Sequence, residues 1–116
     1  MVVDQISELE IDRLFHALAD RTRRDIVRRV IDGEHSISDL ARRYPMSMAA
    51  VQKHVAVLEN AGLVTKHRHG REQRVLGREQ ALQEAQHLLD IYEQAWRDRF
   101  ARIDDLLSAD PQEGTA

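Results

Sequence analysis

The chain has 116 residues, of which 42% are hydrophobic and 32% are charged, a length and balance typical of one soluble folded domain. It has no cysteine, which excludes disulfides, thiolate metal ligands and cysteine redox switches, and favours a cytoplasmic protein. No apolar run approaches the roughly 18 residues of a membrane span, and no secretory leader is expected. Because aromatic residues make up only 4%, the core is expected to be aliphatic.

Charge is distributed unevenly along the chain. The net charge is −3, yet residues 42–78 hold eight Lys and Arg against two acidic residues, which makes this segment +6 and the remainder −9. A basic segment on an acidic body is typical of a protein that presents one face to nucleic acid. An ordinary mixed surface is the alternative, and it accounts poorly for this segregation.

Two amphipathic helices are predicted at the start of the chain. Residues 1–5 are expected to be frayed, and the apolar spacing from Ile6 predicts a helix that ends near Asp20. Thr22 and Asp25 have the spacing of a capping box, so a second helix is expected to begin there. A solvated face with local ion pairs, rather than a DNA-backbone contact, is predicted for Arg21, Arg23, Arg24, Arg28 and Arg29.

Residues 36–62 predict two short helices joined by a turn. Ser36 and Asp39 form a further capping-box pair. Pro45 ends the first helix, because the residue before a proline avoids helical backbone angles. Ser47 is suited to cap the second helix. A helix, a short turn and a helix with a polar face are typical of a helix-turn-helix DNA reader.

The second helix, predicted over residues 47–60 and ended by Gly62, has one apolar and one polar side. At about 100° per residue, the apolar side consists of Val51, Val55 and Leu58. Gln52 is suited to pair with a base edge and Lys53 with phosphate or guanine, while His54 is predicted to be a structural histidine that also touches a phosphate. The candidate DNA-contacting residues here are Arg43, Ser47, Met48, Ala49, Gln52, Lys53 and His54. A merely solvated helix face is the alternative.

The pattern then changes to that of a β-hairpin over residues 63–76. Residues 63–68 and 72–76 predict two strands, and residues 69–71 predict the turn between them. A basic hairpin directly after a recognition helix is typical of a DNA-binding wing. Its candidate contacts are Lys66, Arg68, His69, Arg71 and Arg74. A basic loop tip without function is the alternative.

One long helix without Gly or Pro is predicted from Glu79 to about Ser108. Its continuous apolar stripe exceeds what a small domain needs to cover itself, and it includes Trp96 and Phe100. Aromatic anchors are enriched at interfaces, so the stripe predicts self-association. Packing wholly within the monomer is the alternative. Residues 108–116 are predicted to form a flexible tail.

Three motifs resemble the ArsR/SmtB family of winged-helix bacterial repressors over roughly residues 8–107. They are ALADRTRRDIVRRV at 17–30, SDLARRYPMSMAAVQKHVAVLENAGLV at 38–64 and GREQRV at 70–75. The expected fold is mainly α with a small β-hairpin, in the order α-α-α-α-β-β-α, as one domain over 6–107. The resemblance also implies a homodimer that is held by the first and last helices and reads a palindrome in successive major grooves. The interface residues predicted here are Leu9, Leu14, Leu88, Leu89, Tyr92, Trp96, Phe100 and Ile103.

The resemblance also bears on metal binding. The family's familiar sensor motif, E-L-C-V-C-D-L, aligns with residues 34–40, where both cysteine positions are serine, Ser36 and Ser38. Of the paired ligands that the family carries on its last helix, only His87 is available. The W-x3-F-x2-I-x2-L pattern over 96–106 resembles the non-metal branch that includes the sporulation-delay repressor SdpR. No metal or other cofactor is therefore expected.

The leading prediction is a DNA-binding transcriptional regulator, most simply a repressor, whose partners are double-stranded DNA and a second copy of itself. One alternative is a winged module that binds protein, which the basic segment disfavours. Another is a metal-responsive repressor with histidine and carboxylate ligands, using His67 with His69 or His16 with His87. An enzyme is disfavoured, since the sequence lacks a nucleophile–base–carboxylate set, a phosphate loop and an HExxH motif.

Overall fold

The structure is a computed structural model that describes residues 8–115, with side chains as far as residue 108. The helices are α1 (Glu8–Leu18), α2 (Arg21–Ile31), α3 (Ile37–Ala41), α4 (Met48–Asn60) and α5 (Gln80–Thr115). The strands are β1 (His35–Ser36), β2 (Val64–His69) and β3 (Glu72–Gly77). The predicted winged helix-turn-helix fold is confirmed, with β1 as an additional strand. Sequence patterns miss β1 because two residues are too few to show an alternation.

The chain divides into two compact units, of which the first ends at Ala85 and the second begins at Gln86. The first contains α1–α4, the sheet and the start of α5, and the second is the remainder of α5. The domain predicted over 6–107 therefore spans both units, and the predicted tail 1–5 lies outside the described residues. The helix continues to Thr115, beyond its predicted end, because extending an existing helix costs much less than starting one.

The three strands form an antiparallel sheet in the order β1-β3-β2. His69 pairs with Glu72, which leaves Gly70 and Arg71 as a two-residue turn at the tip of the wing. Gly70 has a φ of +68°, as the first central position of a type II′ hairpin turn requires. The turn predicted from the sequence is therefore confirmed, and its tip presents Arg71 to solvent.

The start of α2 differs from the prediction. Asp20, with extended backbone angles, is the N-cap, and its carboxylate accepts a hydrogen bond of 3.0 Å from the backbone N–H of Arg23. This hydrogen bond is the main reason that the pKa of Asp20 lies below its ordinary value. The predicted box of Thr22 and Asp25 is wrong, because the Asp25 carboxylate is bound by side chains instead.

The predicted caps of α3 and α4 and the glycine after α4 are confirmed, whereas α3 ends at Ala41, before the predicted stop at Pro45. The Ser36 hydroxyl accepts from the backbone N–H of Asp39 at 3.0 Å, and the Asp39 carboxylate accepts in return from the backbone of Ser36. Ser47 caps α4 by accepting from the backbone N–H of Ala50 at 3.1 Å. Gly62 follows α4 with a φ of +78°, a left-handed conformation that glycine adopts without steric cost.

The core of the first unit is aliphatic, as the composition predicts. The predicted inward residues of α4, Val51, Val55 and Leu58, are all buried in it. The other core residues are Leu14, Ala17, Ile26, Val30, Ile37, Leu40, Leu63, Val64, Val75, Ala81 and Ala85. Leu14 is only 1% exposed, so its assignment to a dimer interface is wrong. Its side chain is already enclosed by the core of its own chain.

The second unit has the opposite character. Its exposed large apolar side chains are Leu89, Ile91, Tyr92, Trp96, Phe100, Ile103, Leu106 and Leu107, while Leu88 is half-buried. The rings of Trp96 and Phe100 stack with centroids 5.6 Å apart. This exposure disfavours the alternative that the stripe packs wholly within the monomer. Among the described residues, no helix combines the length and hydrophobicity that a membrane span requires.

Candidate nucleic-acid interface

The solvent-facing side of α4 carries the predicted DNA-reading residues. Its buried side anchors the helix through Val51, Val55 and Leu58. At about 100° per residue, Ala49, Gln52 and Lys53 fall on the other side, and all three are exposed. At the start of the helix Ser47 is exposed and Met48 is 45% exposed. The structure therefore brings the predicted reading residues to one accessible surface.

Several polar side chains at this surface have no partner within the described part of the chain. Gln52 and Lys53 on α4 make neither a hydrogen bond nor an ion pair with their side chains. The same is true of Arg43 before α4 and of Arg68 and Arg71 on the wing, and all five are exposed. These four cations and one amide are free to bind an external partner without first breaking a contact.

The wing carries fewer free cations than its sequence indicates. Lys66 forms an ion pair of 3.3 Å with Glu59, and Arg74 forms ion pairs of 3.1 Å with Glu34 and 3.2 Å with Glu72. The hydrogen bond to Glu34 is the main cause that raises the pKa of Arg74. Lys66 and Arg74, both predicted as DNA contacts, are therefore held by carboxylates of their own chain.

His54 differs from the other candidate residues of α4, because it is half-buried and already bound. Its Nδ1 lies 3.2 Å from Nη1 of Arg23 and 3.9 Å from Oδ2 of Asp20. The structural role predicted for His54 thus has one hydrogen-bond partner, Arg23, with the Asp20 carboxylate nearby. The solvated face predicted for Arg23 is wrong, since this side chain is half-buried between α1 and α4.

A second set of contacts holds the turn that leads into α4. The Tyr44 hydroxyl donates to Oδ2 of Asp25 at 2.5 Å, and Nε of Arg29 lies 2.8 Å from the same oxygen. Arg28 binds the other carboxylate oxygen at 2.7 Å. The hydrogen bond from Tyr44, followed by that from Arg28, holds the pKa of Asp25 well below its ordinary range, while burial raises the pKa of Tyr44. The local ion pairs predicted for α2 are confirmed for Arg28 and Arg29.

Tyr44 is a residue that sequence reasoning missed. It precedes Pro45 in the turn of the helix-turn-helix, and its ring also lies under the Arg29 guanidinium, 5.8 Å from centroid to Cζ. The side chain joins the turn to α2 by a charge-assisted hydrogen bond, which is stronger than a neutral one. The sequence carries one signal of this contact, namely that Tyr44 is an aromatic residue with a polar hydroxyl inside a turn, and a buried tyrosine hydroxyl usually binds a partner.

The histidines do not gather at one place in the described residues. Nε2 of His67 lies 3.0 Å from the Thr65 hydroxyl, and among the described side chains no group of three or more His, Asp and Glu could hold a metal ion. The paired histidines of the metal-responsive alternative therefore find no third ligand within this part of the chain.

Comparison with known sequences agrees with this geometry. A family model described as a helix-turn-helix domain matches residues 18–67, which contain α2, α3 and α4. The HTH-type transcriptional regulator Rv2034 of Mycobacterium tuberculosis is 49% identical over 53 residues, which make up 46% of this chain and 50% of Rv2034. The match thus spans half the length of that curated relative.

Solved structures extend the likeness to most of the chain. An ArsR-like transcriptional regulator from Rhodococcus sp. RHA1 has a TM-score of 0.75 and 33% identity, over 84% of this chain and 92% of that one. The chain belongs to the ArsR family of winged helix-turn-helix regulators. The ArsR family transcriptional regulator RHA00566 gives a TM-score of 0.76 at 26% identity, over 80% of this chain and 96% of the other. The ArsR-family chain is accordingly a DNA-binding transcriptional regulator and not an enzyme.

One position of the motif resemblance has a defined structural role. Ser36, which the resemblance aligns with the first cysteine of the sensor motif, is buried. Ser36 caps α3 through its hydroxyl, and its backbone lies in β1, which pairs with β3 of the wing. A small oxygen-bearing side chain suits this cap, because hydroxyl oxygens accept well from backbone N–H groups at a helix start. The position therefore serves the fold.

Proposed function

We propose that the protein is a homodimeric repressor that reads a palindromic operator, with α4 in the major groove and the wing along the phosphates. The observation that carries the proposal is the free, exposed state of Gln52, Lys53, Arg43, Arg68 and Arg71. Unpaired cations supply affinity by displacing counterions from phosphates. An unpaired amide on the exposed side of a recognition helix supplies base discrimination.

The roles of the free side chains differ. Gln52 has both a donor and an acceptor on one planar amide, which suits bidentate pairing with adenine. Lys53, next to it, reaches phosphate or guanine as a single mobile charge. Ala49 and Ala56 are small and exposed, so the helix backbone can approach a groove closely. Arg68 and Arg71 on the wing, with the free Arg43, are proposed to contact phosphates and fix the orientation.

The proposed dimer rests on the apolar face of α5. At about 100° per residue, one arc of about 80° contains Leu89, Tyr92, Trp96, Phe100, Ile103 and Leu107. Each of these side chains is at least 40% exposed, and Trp96 is 58% exposed. A twofold axis places one such face against its copy, so each aromatic anchor gains a partner of its own kind. Leu88 on α5 is proposed to extend this contact, and Leu9 on α1 is proposed as a further contact with the second copy.

We also propose that the protein belongs to the metal-independent, SdpR-like branch of its family. The supporting observations are the serines at both cysteine positions and the use of Ser36 as a helix cap. Without a thiolate at either position, this motif has no soft ligand to offer a sensed metal.

The test is a mobility-shift titration on the duplex that lies upstream of the protein's own gene, with random duplex as competitor. Specific, saturable and competitor-resistant binding is expected. Gln52→Ala should relax the preference among operator variants by about 1–3 kcal/mol at one base position. Arg71→Ala should weaken all sequences alike and lower the slope of log affinity against log salt by about 1.

Arg102→Ala is the matched control, since Arg102 is an exposed arginine of α5 with no side-chain partner among the described residues and lies outside the proposed DNA surface. It should leave both the affinity and the salt slope unchanged. Binding to the upstream duplex no tighter than to random duplex would contradict the proposal. Capture of a protein partner with no enrichment of DNA would then favour the protein-binding module instead.

A further inference from the structure

We propose that Arg23 is a positioning residue for DNA recognition, which fixes the rotation of α4 relative to the end of α1 through His54. This inference rests on the proposed function, since it concerns how α4 is held for reading. Arg23 lies on α2, and each nitrogen of its guanidinium has a partner within the chain.

The Arg23 guanidinium uses all three of its nitrogens on different acceptors. Nε donates to the carbonyl of Ala17 at 2.8 Å, and Nη2 donates to the carbonyl of His16 at 3.0 Å. Nη1 lies 3.2 Å from Nδ1 of His54. Both carbonyls lie in the last turn of α1, where i+4 partners are lacking, and the His16 carbonyl also accepts from the backbone N–H of Ala19 at 3.2 Å. Because the guanidinium is planar and rigid, fixing two nitrogens on α1 also fixes the direction of the third.

His54 is the point at which this rigid group meets the recognition helix. Nη1 of Arg23 is a donor only, so Nδ1 of His54 must accept and the imidazole proton must lie on Nε2. His54 follows the free Lys53 and precedes the buried Val55. The hydrogen bond therefore acts at the boundary between the reading side and the core side of α4, in the middle of the helix.

The rest of the α4 packing does not set its rotation as sharply. Val51, Val55 and Leu58 bury aliphatic surface, and hydrophobic burial is non-directional. A hydrogen bond has a preferred angle and weakens steeply away from it. The Arg23–His54 bond thus provides a directional restraint on which side chains of α4 face a groove. A misplacement of the reading side chains would lower specific affinity without removing any contact to DNA.

The same chain supplies a matched control in the neighbouring arginine. Nη1 of Arg24 donates to the carbonyl of Leu18 at 2.9 Å, so Arg24 also caps the end of α1. It has no hydrogen bond to α4. A lysine at either position keeps the positive charge but loses the planar fork, which makes Arg23→Lys and Arg24→Lys comparable changes.

The first experiment measures amide hydrogen exchange in α4 of the free protein. Arg23→Lys is expected to speed exchange in α4 about tenfold, the loss expected for one hydrogen bond to a charged group, while Arg24→Lys leaves it within about twofold. This readout needs no DNA, so it tests the inference even if the proposed function fails. Equal exchange rates in the two variants would overturn the inference.

The second experiment measures affinity for the tightest duplex recovered from a random-sequence pool. Arg23→Lys should bind it about tenfold more weakly, with an unchanged salt slope and unchanged dimerisation, and Arg24→Lys should bind like the original protein. If Arg23 touched a phosphate directly, Arg23→Lys would retain affinity and Arg23→Gln would lower the salt slope. That result would overturn the inference.

Variants of His54 separate positioning from a general loss of structure. His54→Asn retains an acceptor near the place of Nδ1 and should preserve affinity, whereas His54→Leu should reproduce the weakening of Arg23→Lys. The double variant Arg23→Lys/His54→Leu should be no weaker than either single variant, because both remove the same bond. Additive losses of affinity in the double variant would contradict the inference. If Arg23→Lys does not fold, the comparison of His54→Asn with His54→Leu is the test, and equal DNA affinity of these two variants would contradict the inference. Failure of the unsubstituted protein to prefer any duplex would count against the proposed function alone.

Discussion

The two units of the chain use the same kind of amphipathic helix in opposite ways. In the first unit, the apolar stripe of α4 is enclosed, and Leu58 is fully buried. In the second unit, the stripe of α5 is open, and Leu107 is 70% exposed. The comparison shows that an apolar stripe specifies a buried face without specifying what buries it. One stripe stabilises the fold, and the other is proposed to select a second copy.

The largest expected effect contrasts one leucine from each unit. Leu58→Ala should lower the free energy of unfolding by about 2–5 kcal/mol, because it leaves a cavity in a closed core. Leu107→Ala should change the unfolding of the dilute protein by less than about 0.5 kcal/mol, since the side chain is mostly solvated. Urea unfolding followed by circular dichroism measures both. Equal losses would show that the stripe of α5 is enclosed like that of α4.

A second contrast lies within α5. Trp96→Ala should weaken dimerisation by about 2 kcal/mol, or about 30-fold in the dissociation constant, because buried aromatic anchors dominate interface energetics. Sedimentation equilibrium measures the constant, and Arg102→Ala serves as a control on the same helix. An unchanged constant in the Trp96 variant would place the dimer contact elsewhere.

The smallest effects contrast polar contacts of the two units. Tyr44→Phe removes the hydroxyl that binds Asp25 and should cost about 1 kcal/mol near neutral pH. The Asp25 pKa is lowered in the folded state, so this stabilisation is present above the unfolded pKa of about 4. It is lost as the pH falls through the lowered folded value.

The difference between Tyr44→Phe and the unsubstituted protein should therefore shrink on acidification, and urea unfolding at neutral and acid pH would measure it. A constant difference would show that the hydroxyl acts through something other than the Asp25 carboxylate.

On α5, Glu93 and Arg97 form an exposed i,i+4 ion pair of 3.0 Å. Removal of that pair by Glu93→Gln should cost less than about 0.5 kcal/mol.

Residues with a local signal were predictable. The caps Ser36 and Ser47, the left-handed Gly62 and the wing turn at Gly70 each follow from backbone chemistry within four residues, and the structure confirms them. The exposed side of α4 was predictable for the same reason, since the spacing of apolar residues along a helix determines which side is buried and which side is exposed.

Residues whose partners are distant in the sequence were not predictable. The sequence predicts Leu14 as an interface residue, but the tertiary fold encloses its side chain. It also predicts Lys66 and Arg74 as DNA contacts, but they form ion pairs with Glu59 and Glu34, respectively. Arg23 and Tyr44 give the same lesson, since their partners on other helices lie 31 and 19 positions away.

The sequence by itself determined the main helices, the caps of α3 and α4, the buried side of α4 and the position of the wing, because these depend on periodicity and on neighbours along the chain. The tertiary structure alone decided which arginines are free and which are bound, because a guanidinium finds its acceptors through space. It also decided that the apolar stripe of α5 remains exposed, since a stripe can be covered only by what the fold, or a second copy, brings against it.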